Sequence, residues 1–239
     1  MGGKDNAAGR RLSALSAHLA KPVVVAADAA GAGVAAAPAS AASAAECHGP
    51  AAGHLVIVGG AMSADSGIVA KFIELGGGAG TARVVIIPTA SLPTDGSGDV
   101  AKASAKMVSM FESNGAASVD VLHTVDRELA DTDEFAAPIH DASVVFFGGG
   151  RQWKIFDAYS GTQVQTEVDA LLARGGVVGG SSAGASILGE HMARGDTATN
   201  FTMLGDHQVG FGLLSGASID QHFLARAFSH TTAKGFAAD

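Results

Sequence analysis

The amino-acid sequence predicts an α/β fold in which a mostly parallel, doubly wound sheet carries helices on both of its faces. Segments of strand type alternate with segments of helix type along most of the chain, which is typical of a parallel sheet. The strand-type segments are continuous apolar runs, as expected for strands covered on both sides, rather than apolar–polar alternations. Several runs end in glycines or other small residues, and in such folds the carboxyl ends of the strands hold the site.

Five strands are predicted from short runs rich in valine, isoleucine, leucine and phenylalanine. In chain order they cover residues 55–58, 83–88, 119–122, 143–147 and 176–180. Glycines follow the first and fourth runs, at 59–60 and 148–150, and mark the points where those strands end. The regular order of these runs predicts one sheet within one domain.

Three helices are predicted between the strands from apolar residues at helical spacing. They cover residues 65–75, 100–111 and 164–174. Glycines at 76–78 and the Asn114-Gly115 pair are the stop signals of the first two helices. In the second helix, Met107 and Met110 are expected to pack in the core. The acidic stretch 126–134 is expected to form a solvated turn or a short helix.

Length and composition bound the organisation of the chain. Its 239 residues fit one α/β domain, assigned to residues 54–239, after a segment at 1–53 in which alanine, glycine and serine dominate. Side chains this small cannot bury enough surface to offset the entropy of ordering, so 1–53 is expected to be a disordered extension or a targeting segment. A cytoplasmic location is expected, with secretion or organelle targeting left open.

Charge and cysteine content argue against several classes of partner and site. The formal charge is -8, from 15 basic and 23 acidic side chains, which argues against a nucleic-acid surface and against an anionic membrane. No apolar stretch approaches the roughly 20 residues of a transmembrane helix. The one cysteine, Cys47, excludes an internal disulfide and a cysteine-based metal cluster. No metal and no organic cofactor is predicted, and a homodimer is left open.

The last predicted strand leads into Gly180-x-Ser182-x-Gly184, the pattern of a nucleophile elbow. Small residues are needed at this turn because the serine backbone is strained and bulk would collide with the adjoining strand or helix. Ser182 is then expected at the carboxyl end of the strand, with the amide of Ala183 directed at any negative charge that forms there. In a chain with 33 glycines, the pattern alone is equally compatible with a tight turn that has no chemistry.

A nucleophilic serine needs a base, and histidine is the usual one near neutral pH. The downstream candidates are His191, His207, His222 and His230. His222 stands out because it ends the compact polar trio Asp220-Gln221-His222, which follows an apolar stretch of the chain. A third group should orient the histidine, and the candidates are Asp196, Asp206 and Glu190. The sequence leaves that choice open, since it depends on a distance.

Taken together, four segments resemble the cyanophycinase and aspartyl dipeptidase family of serine peptidases. They are 149–152 (Gly-Gly-Arg-Gln), 179–185 (Gly-Gly-Ser-Ser-Ala-Gly-Ala), 210–214 (Gly-Phe-Gly-Leu-Leu) and 220–223 (Asp-Gln-His-Phe), within a similarity over roughly 55–226. The resemblance implies a flavodoxin-like fold similar to that of class I glutamine amidotransferases, with serine in place of cysteine at the elbow. It also implies a peptide or a cyanophycin-like polymer as the partner.

The resemblance implies roles for individual residues. Ser182 would be the nucleophile and His222 the base, and the distance along the chain from the serine favours Asp196 over Asp206 as the acid. The oxyanion hole would be formed by the amide of Ala183 with Gly149 or Gly150. The positions that line the substrate pocket in cyanophycinases match Gln152, Asp220, Gln221 and Arg226.

The implied substrate is cyanophycin, a polyaspartate backbone with arginine attached to each side-chain carboxyl group. Cleavage through an acyl-enzyme would release β-Asp-Arg dipeptides without a metal or an organic cofactor. Arg226 suits this substrate because its guanidinium can form two hydrogen bonds to an aspartate carboxylate. An α-aspartyl or isoaspartyl dipeptidase of the same family, and an inactive or truncated binding paralogue, are left open.

Two departures from the family pattern bear on these expectations. Cyanophycinases commonly carry several arginines after the Asp-Gln-His segment, whereas Arg226 stands alone here, so the exact substrate is left open. The sequence also stops at Asp239, where relatives continue, so C-terminal strands near the site are expected to be missing. An exposed sheet edge would then leave the domain unstable or the pocket open.

Overall fold

The computed structural model describes residues 48–60, 62–223 and 225, and it contains a five-stranded parallel sheet. The strands are β1 (His54–Val58), β2 (Arg83–Ile87), β3 (Ser118–Val121), β4 (Val144–Phe147) and β5 (Val177–Ser181). Their order in the sheet is β1-β5-β4-β2-β3, and every pairing is parallel. Each strand begins and ends within one residue of its predicted bounds. The predicted parallel sheet is therefore confirmed.

Helices connect the strands. Those of the described residues are α1 (Ile68–Leu75), α2 (Val100–Ser113), α3 (Arg127–Ala130), α4 (Asp133–His140), α5 (Gln152–Tyr159), α6 (Gln163–Ala173) and α7 (Ala183–Ser186). Helix α1 begins later than predicted because residues 64–66 form a separate 3-10 turn, which Gly67 ends with a φ of 74°. The acidic stretch forms α3 and α4, whose first turns are capped by the side chains of Asp126 and Thr132.

Helix α5, which follows β4, was not predicted from the sequence. It is separated only by Arg151 from a run of glycines, which indicates a turn at this point of the chain. The helix is nevertheless important for the site. Its side chains contact Leu92, which precedes Ser182 in the chain, and Ala193 and His207, which follow it.

Two hydrophobic cores lie on the two faces of the sheet, and successive strand residues alternate between them. Phe147 belongs to the core formed with α4, α5 and α6. Phe146 belongs to the core formed with α1 and α2, where its ring meets those of Phe72 and Phe111 edge-on, with centroids 5.4 Å away in each case. Met110 is buried in this second core, as predicted. Helices on both faces of the sheet are therefore confirmed.

The strand order places the carboxyl ends of β1, β5 and β4 side by side. In the register of the sheet, Val58 is opposite Ser181 and Phe147 is opposite Gly180. The glycines that follow β1 and β4 therefore lie on either side of the turn that follows β5. This position is where a parallel α/β sheet is expected to hold its site.

After α7 the chain forms a two-stranded sheet that was not predicted from the sequence. Its strands, β6 (Gly189–His191) and β7 (Leu214–Ser218), pair in parallel. Neither strand has a continuous apolar run, since β7 reads Leu-Ser-Gly-Ala-Ser, so the signal that identified the other strands is missing. The chain between them, residues 192–213, folds against α5 and is called the 192–213 segment below.

His207 joins the 192–213 segment to α5. Its ring lies beside those of Trp153 and Phe156, with centroid distances of 5.8 and 6.3 Å. Its Nε2 atom is 2.8 Å from the carboxylate of Asp157, and its Nδ1 atom is 3.4 Å from that of Asp206. Burial disfavours the charged ring, but the hydrogen bonds to Asp157 and Asp206 outweigh it and raise the pKa of His207.

Several predicted features lie outside the described residues. They are Cys47, Arg226, His230, residues 1–47 of the N-terminal segment and the end of the assigned domain beyond residue 225. Within the part of the chain that the structure describes, no helix has the length and apolar character needed to cross a bilayer. The same residues contain no group of three or more histidine, cysteine or acidic side chains placed to hold a metal ion.

The corner between β5 and α7 leaves no room for a side chain at Gly184, because a Cβ atom there would overlap the carbonyl oxygen of Phe147. We expect Gly184→Ala to lower the free energy of unfolding by about 1–3 kcal/mol, since β4 and α7 must move apart. Urea denaturation measures this change. Gly59→Ala is the control, because no atom lies within 4 Å of a Cβ built at that position. Equal free energies of unfolding for the two variants would show that the position of Gly184 is not crowded.

The contacts of His207 predict that the 192–213 segment loosens as pH rises. A raised folded-state pKa adds stability that is fully present below the ordinary histidine pKa and is lost as pH rises through the raised value. We expect hydrogen exchange in this segment, corrected for intrinsic rates, to be faster at about pH 8.5 than at about pH 6. Asp157→Asn should reduce the difference. Equal protection at both pH values would show that protonated His207 does not hold the segment.

Candidate active site

The chain turns sharply at Ser182, between β5 and α7. Its φ of 57° and ψ of -114° lie in a region that residues other than glycine rarely adopt. The Ser182 amide donates to the Val58 carbonyl at 2.9 Å, and the Ser182 carbonyl accepts from the Ala185 amide at 3.0 Å. A Cβ at Gly180 would overlap the carbonyl of Gly184. The backbone thus has the shape of a nucleophile elbow, made possible by the small residues around the serine.

His222 lies beside Ser182, although it comes 40 residues later in the chain. Its Nε2 atom is 2.8 Å from Ser182 Oγ, so the hydroxyl can donate to this nitrogen in the tautomer that leaves it unprotonated. The His222 amide donates to the Gly59 carbonyl at 2.9 Å, and the ring occupies the space that a Cβ at Gly60 would fill. The glycine pair after β1 therefore makes room for the imidazole next to the serine.

Gly59 and Gly60 were not predicted to belong to the site. A signal is present, because two consecutive glycines end a predicted strand just as Gly148–Gly150 do. That signal can be interpreted only once the strand order is known. Strand β1 is the neighbour of β5 in the sheet but lies more than a hundred residues away along the chain.

The residues predicted to form an oxyanion hole lie close to Ser182. A Cβ at Gly149 would be 3.4 Å from the Ser182 Cβ, so this glycine faces the serine directly. Ala183 is buried and is the first residue of α7. Gly150 has a φ of 141° and packs against Ala90, whose carbonyl oxygen a Cβ would overlap. Two backbone segments, one after β4 and one after β5, therefore meet at the serine.

Asp196 closes a turn within the 192–213 segment. Its Oδ1 atom accepts from the amides of Ala198 at 2.9 Å and Thr199 at 2.8 Å. Its backbone carbonyl accepts from the Arg151 guanidinium. These contacts account for the position of the loop, and the role of Asp196 as the acid that orients His222 stays a prediction.

The two alternative acids also hold nearby chain in place. Hydrogen bonds from Thr197, one of them 2.8 Å from its amide, hold the pKa of Asp206 down at about 2. Glu190 accepts from the Gly216 amide at 2.7 Å and from the Ser215 hydroxyl at 2.9 Å, and these hydrogen bonds lower its pKa. Both carboxylates are therefore ionised near neutral pH, and the choice among the three acids stays open.

Gln152 and Gln221, which were predicted to line a substrate pocket, are both buried. The Gln152 amide donates to the carbonyls of Ala193 and Arg194, each at 2.7 Å, and its oxygen accepts from the Gln221 amide at 3.4 Å. These contacts tie α5 to the 192–213 segment and to the chain that carries His222. Contact of either glutamine with substrate stays a prediction.

Asp220, also predicted to contact substrate, forms an ion pair with Arg194. The guanidinium donates from Nε to Oδ1 at 2.6 Å and from Nη2 to Oδ2 at 3.1 Å. The two side chains are only 14% and 17% exposed, and the hydrogen bonds to Asp220 raise the pKa of Arg194. Arg194 was not predicted from the sequence, because a single arginine in a loop forms no motif and its partner comes 26 residues later.

Arg151 and Lys154 form a cationic rim, which directly follows Gly149 and Gly150 in the chain. Arg151 Nε is buried without a hydrogen-bond partner, and Lys154 Nζ donates to the Leu92 carbonyl at 2.7 Å. Burial and the neighbouring charge of Arg151 lower the pKa of Lys154. Among the described residues, neither cation forms an ion pair with a carboxylate. The rim therefore keeps unneutralised positive charge in the stretch that follows Gly149 and Gly150.

The arrangement at Ser182 suits acyl transfer. A hydroxyl on a strained turn stands at hydrogen-bond distance from an imidazole, and backbone segments that can donate hydrogen bonds lie next to it. Histidine can take the serine proton as the oxygen attacks a carbonyl carbon, and amides can stabilise the negative charge that forms.

The chain is similar to known peptidases. The model of peptidase family S51 matches residues 55–235. A cyanophycinase of Trichormus variabilis is 33% identical over 150 residues, which are 61% of this chain and 48% of that protein. A cyanophycinase of Synechococcus elongatus is 30% identical over 191 residues, which are 76% of this chain and 57% of that protein. The chain thus spans about half the length of these curated relatives.

A solved structure also matches. The crystal structure of a peptidase from an acI-B1 actinobacterium aligns with a TM-score of 0.51 and 23% identity, over 68% of this chain and 65% of that one. At this identity the likeness shows a shared fold. Because the family model covers most of the chain and includes both Ser182 and His222, this protein belongs to peptidase family S51, a family of serine-type peptidases.

Proposed function

We propose that this protein hydrolyses cyanophycin to β-Asp-Arg dipeptides as a serine-type peptidase that forms an acyl-enzyme. The observation that carries the proposal is the 2.8 Å distance between Ser182 Oγ and His222 Nε2 at a strained strand-to-helix turn. The substrate is supported by its relatives, which are cyanophycinases at about 30% identity. The proposed steps use no metal and no organic cofactor.

In the first half of the reaction, Ser182 Oγ attacks the carbonyl carbon of the scissile amide while His222 Nε2 takes the hydroxyl proton. The carbonyl oxygen becomes an oxyanion, to which the amide of Ala183 and that of Gly149 or Gly150 donate hydrogen bonds. His222 then gives its proton to the departing nitrogen. The C–N bond breaks, the amine leaves, and the acyl group remains as an ester on Ser182.

In the second half, water replaces the amine. His222 takes a proton from the water as its oxygen attacks the ester carbon, and it returns the proton to Ser182 Oγ as the C–O bond breaks. The products are a free carboxylate and the original serine. We propose Asp196 as the acid that orients His222, with Asp206 and Glu190 as the alternatives.

The cationic rim supports a substrate that carries carboxylates. Arg151 uses one Nη2 donor for the Asp196 carbonyl and keeps further guanidinium donors, and Lys154 lies near it. A substrate carboxylate would gain charge-assisted hydrogen bonds there, which are about twice as strong as neutral ones. Cyanophycin offers such groups, because each arginine is attached through its amino group and keeps its own carboxylate.

An α-aspartyl or isoaspartyl dipeptidase is the second candidate, because the same rim suits the carboxylate of a single aspartate. Incubation with cyanophycin, Asp-X dipeptides and β-Asp-X dipeptides separates the candidates. Release of β-Asp-Arg from the polymer supports the first, and cleavage of dipeptides alone supports the second. A protein that cleaves none of them, and that a fluorophosphonate does not label at Ser182, is an inactive binding paralogue.

We expect Ser182→Ala and His222→Ala each to reduce hydrolysis of the accepted substrate by about 1,000-fold or more, and the double variant to be little worse. The physical reason is that the serine is a weak nucleophile without the base, and the base has no hydroxyl to activate without the serine. Product release measured by chromatography tests this expectation. Ser113→Ala and His140→Ala are matched controls on exposed parts of α2 and α4, and both should retain full activity. Wild-type rates in Ser182→Ala would exclude the mechanism.

The rate should also fall in acid, because an imidazole that already carries a proton cannot accept one from Ser182. The acid limb of the kcat/KM profile measures this effect for the free enzyme. A rate that does not change through the range in which histidine titrates would show that His222 is not the base.

We expect Arg151→Gln to raise KM for carboxylate-bearing substrates by about tenfold to 100-fold, because one charge-assisted hydrogen bond contributes roughly 1.5–3 kcal/mol. Substrates with the same carboxyl group converted to an amide should be affected much less. Arg83→Gln is the control. Arg83 is the first residue of β2, so it lies at the amino ends of the parallel strands, whereas Ser182 lies at their carboxyl ends. An unchanged KM in Arg151→Gln would show that the cationic rim does not bind the substrate.

A further inference from the structure

We propose that Arg194 is a positioning residue, which holds Asp220 and thereby directs the His222 ring at Ser182. The proposal rests on the function proposed above. It changes the expected role of Asp220, from a side chain that binds substrate to one that anchors the segment carrying the base.

The segment 219–222 is held by a different neighbour at each of its four residues. The Ile219 carbonyl accepts from the Ser186 hydroxyl of α7 at 2.8 Å, and the Gln221 side chain donates to Gln152 of α5 at 3.4 Å. The other two contacts are those of Asp220 with Arg194 and of the His222 amide with Gly59, described above. Together they fix the backbone from which the imidazole projects.

The contact between Arg194 and Asp220 differs from the other three because it joins two charges. It has two parallel hydrogen bonds, which define an orientation as well as a distance. Solvent reaches less than a fifth of either side chain, so water screens the pair much less than an exposed one. Removal of Asp220 would leave the Arg194 guanidinium partly buried without its carboxylate partner.

Arg194 is itself held firmly. Its amide donates to the Met203 carbonyl at 2.9 Å, its Nη1 donates to the Phe201 carbonyl at 3.1 Å, and its own carbonyl accepts from Gln152. A side chain anchored in this way can transmit position to its partner.

Backbone strain supports the same inference. Among the described residues, positive φ values in residues other than glycine occur at Ser182 (57°), Arg194 (58°) and His222 (55°). Such conformations cost about 1–3 kcal/mol each and persist where the surrounding structure requires them. Arg194 therefore shares a costly backbone state with the proposed nucleophile and the proposed base.

The two possible roles of Asp220 predict different kinetics. Loss of a substrate contact that is equal in the ground and transition states raises KM and leaves kcat unchanged. Displacement of the base, His222, lowers kcat and leaves KM nearly unchanged, because a misplacement of about 1 Å can reduce the rate about 100-fold.

Steady-state kinetics on Arg194→Gln, Asp220→Asn and the double variant test the proposal, with whichever aspartyl substrate the wild-type protein cleaves. We expect each single variant to lose about 10–100-fold in kcat with KM within about twofold, and the double variant to match the singles. In a His222→Ala background, Arg194→Gln should cause no further loss, because Arg194 acts through the histidine. A change in overall stability alone would not give this epistasis. Arg83→Gln is the control and should behave as wild type.

Two conservative variants and a second measurement, the rate of fluorophosphonate labelling, test the proposal if Arg194→Gln folds poorly. Asp220→Asn keeps the size of the side chain, and Arg194→Lys keeps the charge but not the paired hydrogen bonds, so both should fold if Arg194→Gln does not. The rate at which a fluorophosphonate labels Ser182 should fall in both, because it depends on the same base. Unchanged kcat and labelling, or a raised KM with unchanged kcat, would overturn the proposal. If wild-type protein neither hydrolyses nor labels, the proposed function fails instead.

Discussion

Close packing where β5 meets α7 is the constraint on which the rest of the site depends. The first turn of α7 lies against the carbonyl of Phe147, a position that only glycine at 184 allows. The chain can enter the helix there only through an unusual backbone state at Ser182. That state places the hydroxyl beyond the end of the strand. The strain is local, and it is balanced by a large core on each face of the sheet.

The parallel sheet brings to this hydroxyl parts of the chain that are distant in sequence. Because β5 lies between β1 and β4, the glycines after both neighbouring strands flank the serine. The two glycines differ, since Gly60 leaves space for the imidazole and Gly149 lies directly against the serine. The site is therefore a consequence of strand order, and Gly60, Gly180 and Gly184 are steric requirements.

Two sets of charges around the site differ in their surroundings. The Arg194–Asp220 pair is shielded and geometrically defined, which suits a pair that maintains position. The cationic rim of Arg151 and Lys154 is not neutralised by any described carboxylate, which suits a surface that meets an anionic group. The chain is acidic overall, with a formal charge of -8, so the rim is a local exception. This division separates the groups proposed to hold the base from those proposed to select the substrate.

The sequence by itself determined the sheet, the elbow and the family. Continuous apolar runs, glycine stops and Gly-x-Ser-x-Gly are local patterns, and local patterns can be seen along a chain. It could not indicate α5, which comes after a run of glycines, or β6 and β7, whose residues are too few or too polar to show a period. Only the tertiary structure decided that Gly60 receives the ring of His222 and that Arg194 holds Asp220. Those contacts join residues brought together by strand order and loop packing, and neither leaves a spacing that a sequence could reveal.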